Sequence, residues 1–243
     1  TSTAAILLAA ELLLFELRPR SLLPVAVACT VAGFLRPLWA PAGALFPMQT
    51  VPVTAIAAVS CVVAGLASGA LSAVMTRMLY WVEDAFEKLP LHWMWWPAIG
   101  GLAVGLGGFI TQKELGVGYD VIGDLLAHHL VLATVVSLLL VKVLIWAIAL
   151  GSGTSGGVLA PLLMIGAGLG YVLAPWLPGG DPRLWTLVCM AATLGGTMRA
   201  PLMAIMFAFE LTWNTQALLP TVLGCVTAYG FSVVVMPRSI LTE

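Results

Sequence analysis

Four stretches of this 243-residue chain carry no Asp, Glu, Lys or Arg: Pro37 to Thr76, Leu89 to Gln112, Val143 to Gly180 and Leu211 to Pro237. A helix needs about 20 apolar residues to cross a hydrocarbon layer, so each stretch is long enough to enter a membrane. Charged side chains are 9% of the residues and apolar ones 61%, where a soluble domain carries roughly 25% charged residues. Ten basic and eleven acidic side chains cannot cover a water-facing surface. Composition therefore excludes a soluble enzyme, a nucleic-acid binder and a disordered chain. The formal net charge of -1 leaves no basic footprint for phosphate.

Proline and glycine divide the apolar runs. Val143 to Gly180 has the length for two crossings, but Gly151 to Gly157 and Pro161 break it. The pattern predicts an all-α, polytopic membrane protein with helices near 4–17, 21–36, 52–86, 92–111, 119–128, 130–149, 159–174, 184–197, 202–213 and 217–236. Several are too short to span alone, and long tilted helices mixed with short broken ones mark a transporter or channel interior. Trp81, Trp93, Trp95 and Trp96 gather near one junction, and tryptophan favours the membrane–water boundary. The run from Glu83 to Lys88 reads as a solvated loop. Cys29, Cys61, Cys189 and Cys225 lie far apart in apolar runs without metal-ligand spacing, so they read as small buried hydrophobes. No residue pattern calls for a metal or a cofactor, and no nucleophile lies beside a base.

The chain repeats itself. Ala5-Ile6-Leu7-Leu8-Ala9-Ala10-Glu11-Leu12 aligns with Ala204-Ile205-Met206-Phe207-Ala208-Phe209-Glu210-Leu211. After a slip of three residues, Leu22-Leu23-Pro24 aligns with Leu218-Leu219-Pro220. Weak duplication of this kind is the sign of a repeat-built transporter. Residues 1–36 read as the end of a first repeat and 52–243 as a second. Thr1 inside an apolar run and Glu243 just past a helix start read as a piece of a longer protein. Equivalent positions give Glu11 and Glu210 a shared structural role, such as accepting amide hydrogen bonds at a helix end.

The most informative local feature is Gly151-Ser152-Gly153-Thr154-Ser155-Gly156-Gly157-Val158-Leu159-Ala160-Pro161, between two apolar helices. Glycines let a ligand approach the backbone. Proline suits a first helical turn, where its missing N–H costs nothing. The amides after Gly156 then converge with the helix dipole into an anion site. Ser152, Thr154 and Ser155 add hydroxyls, and the absence of any carboxylate from Val143 to Gly180 argues against a cation. A glycine-rich hinge between packed helices is the competing reading. A P-loop is excluded, because no Gly-Lys-Ser/Thr closes the run.

The same run resembles the second-half signature of the CLC family of chloride channels and chloride/proton antiporters. Met198-Arg199-Ala200-Pro201-Leu202 with Phe209-Glu210-Leu211-Thr212 resembles a later stretch of that family. Ala5 to Pro24 resembles its first-half end, and Arg238 to Glu243 the start of its last helix. The resemblance covers essentially all of 1–243, as the C-terminal portion of a CLC-type membrane domain. It implies an inverted-repeat fold, no enzymatic activity and a homodimer formed through 2–35 and 202–235. It further implies transport of a small inorganic anion, chloride first, in a bacterial inner membrane. The family's central anion contacts fall on the Val158 and Leu159 amides, within a site spanning Gly151, Ser152, Gly153, Thr154, Gly157, Val158 and Leu159. The family's serine and gating glutamate would precede Thr1. Its anion-facing tyrosine falls at Leu241, and its proton-accepting glutamate at Leu12, after the structural Glu11.

These departures imply a channel or a weakly proton-coupled exchanger. The alternatives are a carrier of a small organic anion and a truncated, non-conducting membrane subunit. Lys142 reads equally as a source of positive potential on an anion path or as a side chain reaching to an interface. Arg199, just before Ala200-Pro201, reads as a cation at the unfavourable end of a helix. His128 and His129 read as solvated at an interface.

Overall fold

A computed structural model of the chain describes residues 2–13, 19–38, 43–50, 53–110, 118–154 and 156–236, without the side chains of 12, 13, 19, 21 and 110. The described residues form helices and connections. They are α1 (Ser2–Leu8), running into a π turn at Ala9–Leu13, α2 (Pro19–Leu35), α3 (Ile56–Glu87), α4 (Trp96–Ile110) and α5 (Tyr119–Leu126). Then come α6 (Leu132–Gly151), α7 (Leu159–Leu173), α8 (Pro182–Met198), α9 (Pro201–Thr212) and α10 (Leu218–Val235). Ile56–Glu87, Leu132–Gly151, Leu159–Trp176 and Leu218–Val235 are long and apolar enough to cross a membrane.

The helix boundaries follow local chemistry. Asp181 accepts the Arg183 amide at 2.9 Å and Pro182 occupies the first turn of α8, a start built from a side-chain cap and a residue that needs no acceptor. The charged run after Tyr80 is not a loop as expected, because α3 continues through Glu87. At about 1.5 Å per residue its 32 residues reach about 48 Å. That exceeds a hydrocarbon core of about 30 Å, so α3 is long enough to cross with room for tilt and for its charged end to stand outside the apolar layer.

The core is α8, in which every residue from Leu184 to Met198 is buried. It packs against α7, α10, α3 and α9. Association within lipid lacks a hydrophobic drive, so close packing of small residues carries it. A Cβ on Gly170 of α7 would lie 2.5 Å from the Trp185 carbonyl oxygen. One on Gly65 of α3 would lie 2.6 Å from the Gly224 carbonyl oxygen of α10. Where α3 meets α8, the Ser72 and Thr197 hydroxyls sit 2.8 Å apart and also reach the Ser68 and Thr193 carbonyls.

Glu11 and Glu210, aligned in the sequence, form a reciprocal pair of caps. Glu210 of α9 accepts the amides of Thr3 and Ala4, which open α1, at 2.9 and 3.4 Å. Glu11, at the end of α1, accepts the amides of Leu202 and Met203, which open α9, at 3.2 and 2.9 Å. Each carboxylate thus satisfies first-turn donors of the other helix.

Two charged positions differ from expectation. Arg199 ends α8 in the left-handed region (φ 56°) rather than starting α9. Its guanidinium donates to the Met236 carbonyl at the end of α10, so it serves two helix C-termini, the favourable end for a cation. His128, also left-handed at φ 57°, is half-buried. It stacks on Tyr171 with centroids 4.2 Å apart, and its Nε2 lies 3.0 Å from Thr186 Oγ1. The Tyr171 hydroxyl donates to the Leu130 carbonyl, closing the α5–α6 connection onto α7. His129 beside it is exposed.

Candidate functional site

The α6–α7 connection sorts its residues by task. Gly151, the last residue of α6, is buried, and a Cβ there would meet Val82 Cγ1 at 2.6 Å. It is a packing glycine against α3. Ser152 is 1% exposed and donates to the Ala149 carbonyl at 2.7 Å, with Thr154 Oγ1 2.9 Å away. A serine has one proton to give, so the Ser152 hydroxyl caps α6 rather than serving as a free donor. Gly153 makes the turn in the left-handed region at φ 74°. Gly157 is exposed, and a Cβ on it would touch nothing within 4 Å. Ser155 lies outside the described residues.

Val158 is the residue before α7, and Leu159 is its first. Among the described residues no side-chain cap stands at the Val158 start of this helix. Its first amides have no acceptor within the helix, and Pro161, third in the helix, has no N–H to satisfy. The side chains of Val158 and Leu159 pack on the hydrophobic core. What this end of α7 offers is therefore backbone donors and the positive pole of the helix.

A cavity of about 340 Å³ opens beside the connection. Thr154, Gly156, Gly157 and Pro161 form one wall, and α6 contributes Lys142 and Trp146 to the other. Among the described residues no carboxylate lines it. Lys142 is 6% exposed, so its side chain stays inside this fold and does not reach for its surface. Trp146, one turn on, is 5% exposed, and its indole N–H has no partner among the described residues. Sequence reasoning missed Trp146, because only the fold shows which face of an apolar helix turns toward a cavity. Larger cavities, of about 430 and 500 Å³, lie by Thr54 and Gln216 and by Ser2 and Arg36, away from the glycine-rich turn.

The other predicted positions stand apart. Glu11 and Glu210 join α1 to α9 and are not part of the cavity lining. Leu12 follows Glu11 in the π turn, its side chain outside the described part. Leu241 also lies outside the described residues.

The chain resembles known proteins throughout. The family model for voltage gated chloride channels matches residues 1–233. The voltage-gated ClC-type chloride channel ClcB of Salmonella dublin is 32% identical over 233 residues, covering 93% of this chain and 56% of that protein. ClcB of Escherichia coli O81 is 30% identical over 233 residues with the same coverage. The chain thus spans somewhat over half the length of these curated relatives. Among solved structures, a slow cyanobacterial Cl-/H+ antiporter superposes with a TM-score of 0.82 at 24% identity, covering 99% of this chain and 59% of that one. A CLC-type fluoride/proton antiporter gives 0.83 at 24% identity, covering 99% and 60%. The all-helical architecture is that of the CLC transporters, and the chain belongs to the voltage-gated chloride channel family, a family of membrane transport proteins rather than enzymes.

Proposed function

We propose that the protein containing this chain carries small inorganic anions, chloride first, across a bacterial inner membrane. The observation behind this reading is the start of α7, which no described side chain caps, close to Gly156 and Gly157 and beside a cavity lined by Lys142 and by no carboxylate among the described residues. The contacts to the ion are assigned to the backbone amides of Val158 and Leu159. Gly153 and Gly157 allow the approach, Gly151 packs α6 against α3, and Ser152 and Thr154 hold the turn. An organic anion would need a pocket shaped to one molecule, and this wall of the cavity offers glycine and proline.

Residues 1–36 are assigned to the end of a first inverted repeat and 52–243 to a second, as the reciprocal Glu11 and Glu210 caps support. The same segments are proposed as the homodimer interface. Leu23 and Leu219, equivalent in the repeat, are 62% and 79% exposed, so the apolar surface to be covered lies one residue beyond Leu22 and Leu218.

Transport is proposed to be uncoupled or weakly coupled to protons, because leucine at position 12 cannot hold a proton. The test is the reversal potential of the full-length protein in liposomes under opposed chloride and pH gradients. A potential that follows chloride and ignores pH supports the reading. A strong pH shift at fixed chloride overturns the role given to Leu12, and absence of anion flux supports a non-conducting subunit.

A further inference from the structure

Helices α6 and α7 are joined at one end by the glycine-rich turn, and at the other end side chains hold them together. α6 starts at Leu132 and α7 ends at Leu173. The Tyr171 hydroxyl of α7 donates to the Leu130 carbonyl, just before α6. The His128 ring stacks on Tyr171, with centroids 4.2 Å apart and 16° between the planes. Its Nε2 lies 3.0 Å from Thr186 Oγ1 of α8. The single Thr186 proton goes to the Pro182 carbonyl at 3.3 Å, so Nε2 donates to the hydroxyl oxygen and Nδ1 is left to take a second proton. His128 is half-buried and left-handed at φ 57°, a backbone state that a residue other than glycine keeps where its surroundings hold it. The charged groups packed against the ring are Asp181 and Arg183, at the start of α8. Burial, the largest effect, and Arg183 oppose an imidazolium, whereas the Pro182 carbonyl and Asp181 favour it. Tyr171 on α7, and Asp124 and His129 on its own connection, are its other titratable neighbours.

We propose that His128 is a proton-operated latch on the α6–α7 hairpin: docked, it fixes the end opposite the glycine-rich turn, and on protonation it lets go and slows anion transport. The inference rests on the anion-transport reading above and names a regulation of that site. Undocking gives the ring back to water, where it binds its proton more readily, so docking is complete at neutral pH and weakens as pH falls. The two helices respond differently. A Cβ on Gly166 or Gly170 of α7 would lie 2.9 or 2.5 Å from the Cys189 or Trp185 carbonyl oxygen of α8, so α7 and α8 touch backbone to backbone and hold together. α6 meets α7 through a side chain, Leu139 against Gly168, and is the helix that shifts. Its pivot is the turn, where a Cβ on Gly153 or Gly157 would meet nothing within 4 Å. Such a shift moves the wall that α6 gives to the cavity beside the start of α7. The latch acts on rate and adds no proton to the ions carried, so it is compatible with weak proton coupling.

The experiment uses the full-length protein in liposomes, with pH equal on both sides so that a change in rate is not a change in driving force. Chloride flux is measured from about pH 7.5 to about 5.5 for wild type, His128→Gln and Tyr171→Phe, each checked by its thermal midpoint. Movement is read separately, as the distance between nitroxide labels on His129→Cys and Trp176→Cys, both exposed positions, in a Cys29→Ser background. On acidification the wild-type rate should fall by about 2-fold or more relative to His128→Gln, whose amide bonds Thr186 without taking a proton. Tyr171→Phe lacks the tie to Leu130 and should shift the fall to higher pH. The label distance should lengthen and broaden over the same range in wild type and hold in His128→Gln. Equal pH profiles for wild type and folded His128→Gln, or a label distance fixed throughout, overturn the latch and leave anion transport standing. If His128→Gln does not fold, Tyr171→Phe decides, and a profile identical to wild type overturns the latch. A wild type that moves no chloride at any pH overturns the transport reading and the control of rate with it, while the label distance still shows whether the connection undocks.

Discussion

Replacing Glu11 or Glu210 by alanine tests the joint between α1 and α9. Glu210 accepts the Thr3 and Ala4 amides, and Glu11 those of Leu202 and Met203. In each pair one bond, at 2.9 Å, is near the ideal length, and the other, at 3.4 or 3.2 Å, is long and contributes less. A hydrogen bond to a charged group contributes about 1.5–3 kcal/mol, and alanine also leaves the amides unpaired. The attraction of a carboxylate to a helix N-terminus adds about 0.3–1 kcal/mol. Both glutamates are only half-buried, so water replaces part of what is lost. The net expectation is a cost of about 1–3 kcal/mol for either Glu11→Ala or Glu210→Ala, and roughly half that for glutamine, which keeps one acceptor oxygen. Both clamps join α1 to α9, so losing one loosens the partners of the other. The double variant should then cost less than the sum of the singles. The assay is reversible denaturant unfolding of the detergent-purified full-length protein, comparing midpoints at constant slope. Single variants within about 0.3 kcal/mol of wild type, below the usual value of one hydrogen bond, would refute the reciprocal caps as a stabilising joint.

Other expectations follow from the packing and the exposed faces. Gly170→Val forces atoms into the Trp185 backbone and should cost about 1–3 kcal/mol in the same unfolding assay, whereas Gly101→Ala, where a Cβ meets nothing within 4 Å, should be neutral or slightly stabilising. Burial holds the His128 imidazole below its ordinary 6.5, only partly offset by the Pro182 carbonyl and Asp181, and Arg183 pushes the same way as burial. A depressed histidine makes the unfolded loop bind more protons, so its docking is complete above about 6.5 and weakens as pH falls through that value toward the lower folded one. The protection factors of the amides at 127–131, with the intrinsic pH dependence of exchange divided out, should fall as pH drops below about 6.5, and His128→Gln should remove that dependence. Leu23→Trp with Leu219→Trp should give monomers by light scattering in detergent, and an intact dimer would move the interface elsewhere.

Much of this architecture is legible in the sequence because membrane helices are written in long apolar runs, and their ends in Gly, Pro and Asp. The glycine-rich turn before α7 and the paired glutamates also stand out, the second only because the repeat puts both at one register. What escapes is whatever a distant element decides. Arg199 looks like a helix start until the chain turns left-handed and brings the end of α10 to its guanidinium. Ser152 looks like an ion ligand until its hydroxyl turns back to Ala149. Glu83 looks solvated in a loop because charge alone does not say where a long tilted helix ends. Lys142 is undecided in sequence, since burial and reach to an interface differ only in what α4, α6 and the turn place around it.

The central claim, that the backbone amides opening α7 hold the transported anion, meets its most direct test in Val158→Pro. Proline removes the amide proton, and the native φ of -85° is close to the value its ring imposes, so the donor goes while the helix start is kept. The measurement is the half-saturating chloride concentration for flux into liposomes by the full-length protein, wild type against variant, with the thermal midpoint as a control for folding. The expected result is a rise of about 10-fold or more at an unchanged midpoint, the worth of one hydrogen bond to a charged ligand. An unchanged half-saturation in a folded variant would contradict the site at its center.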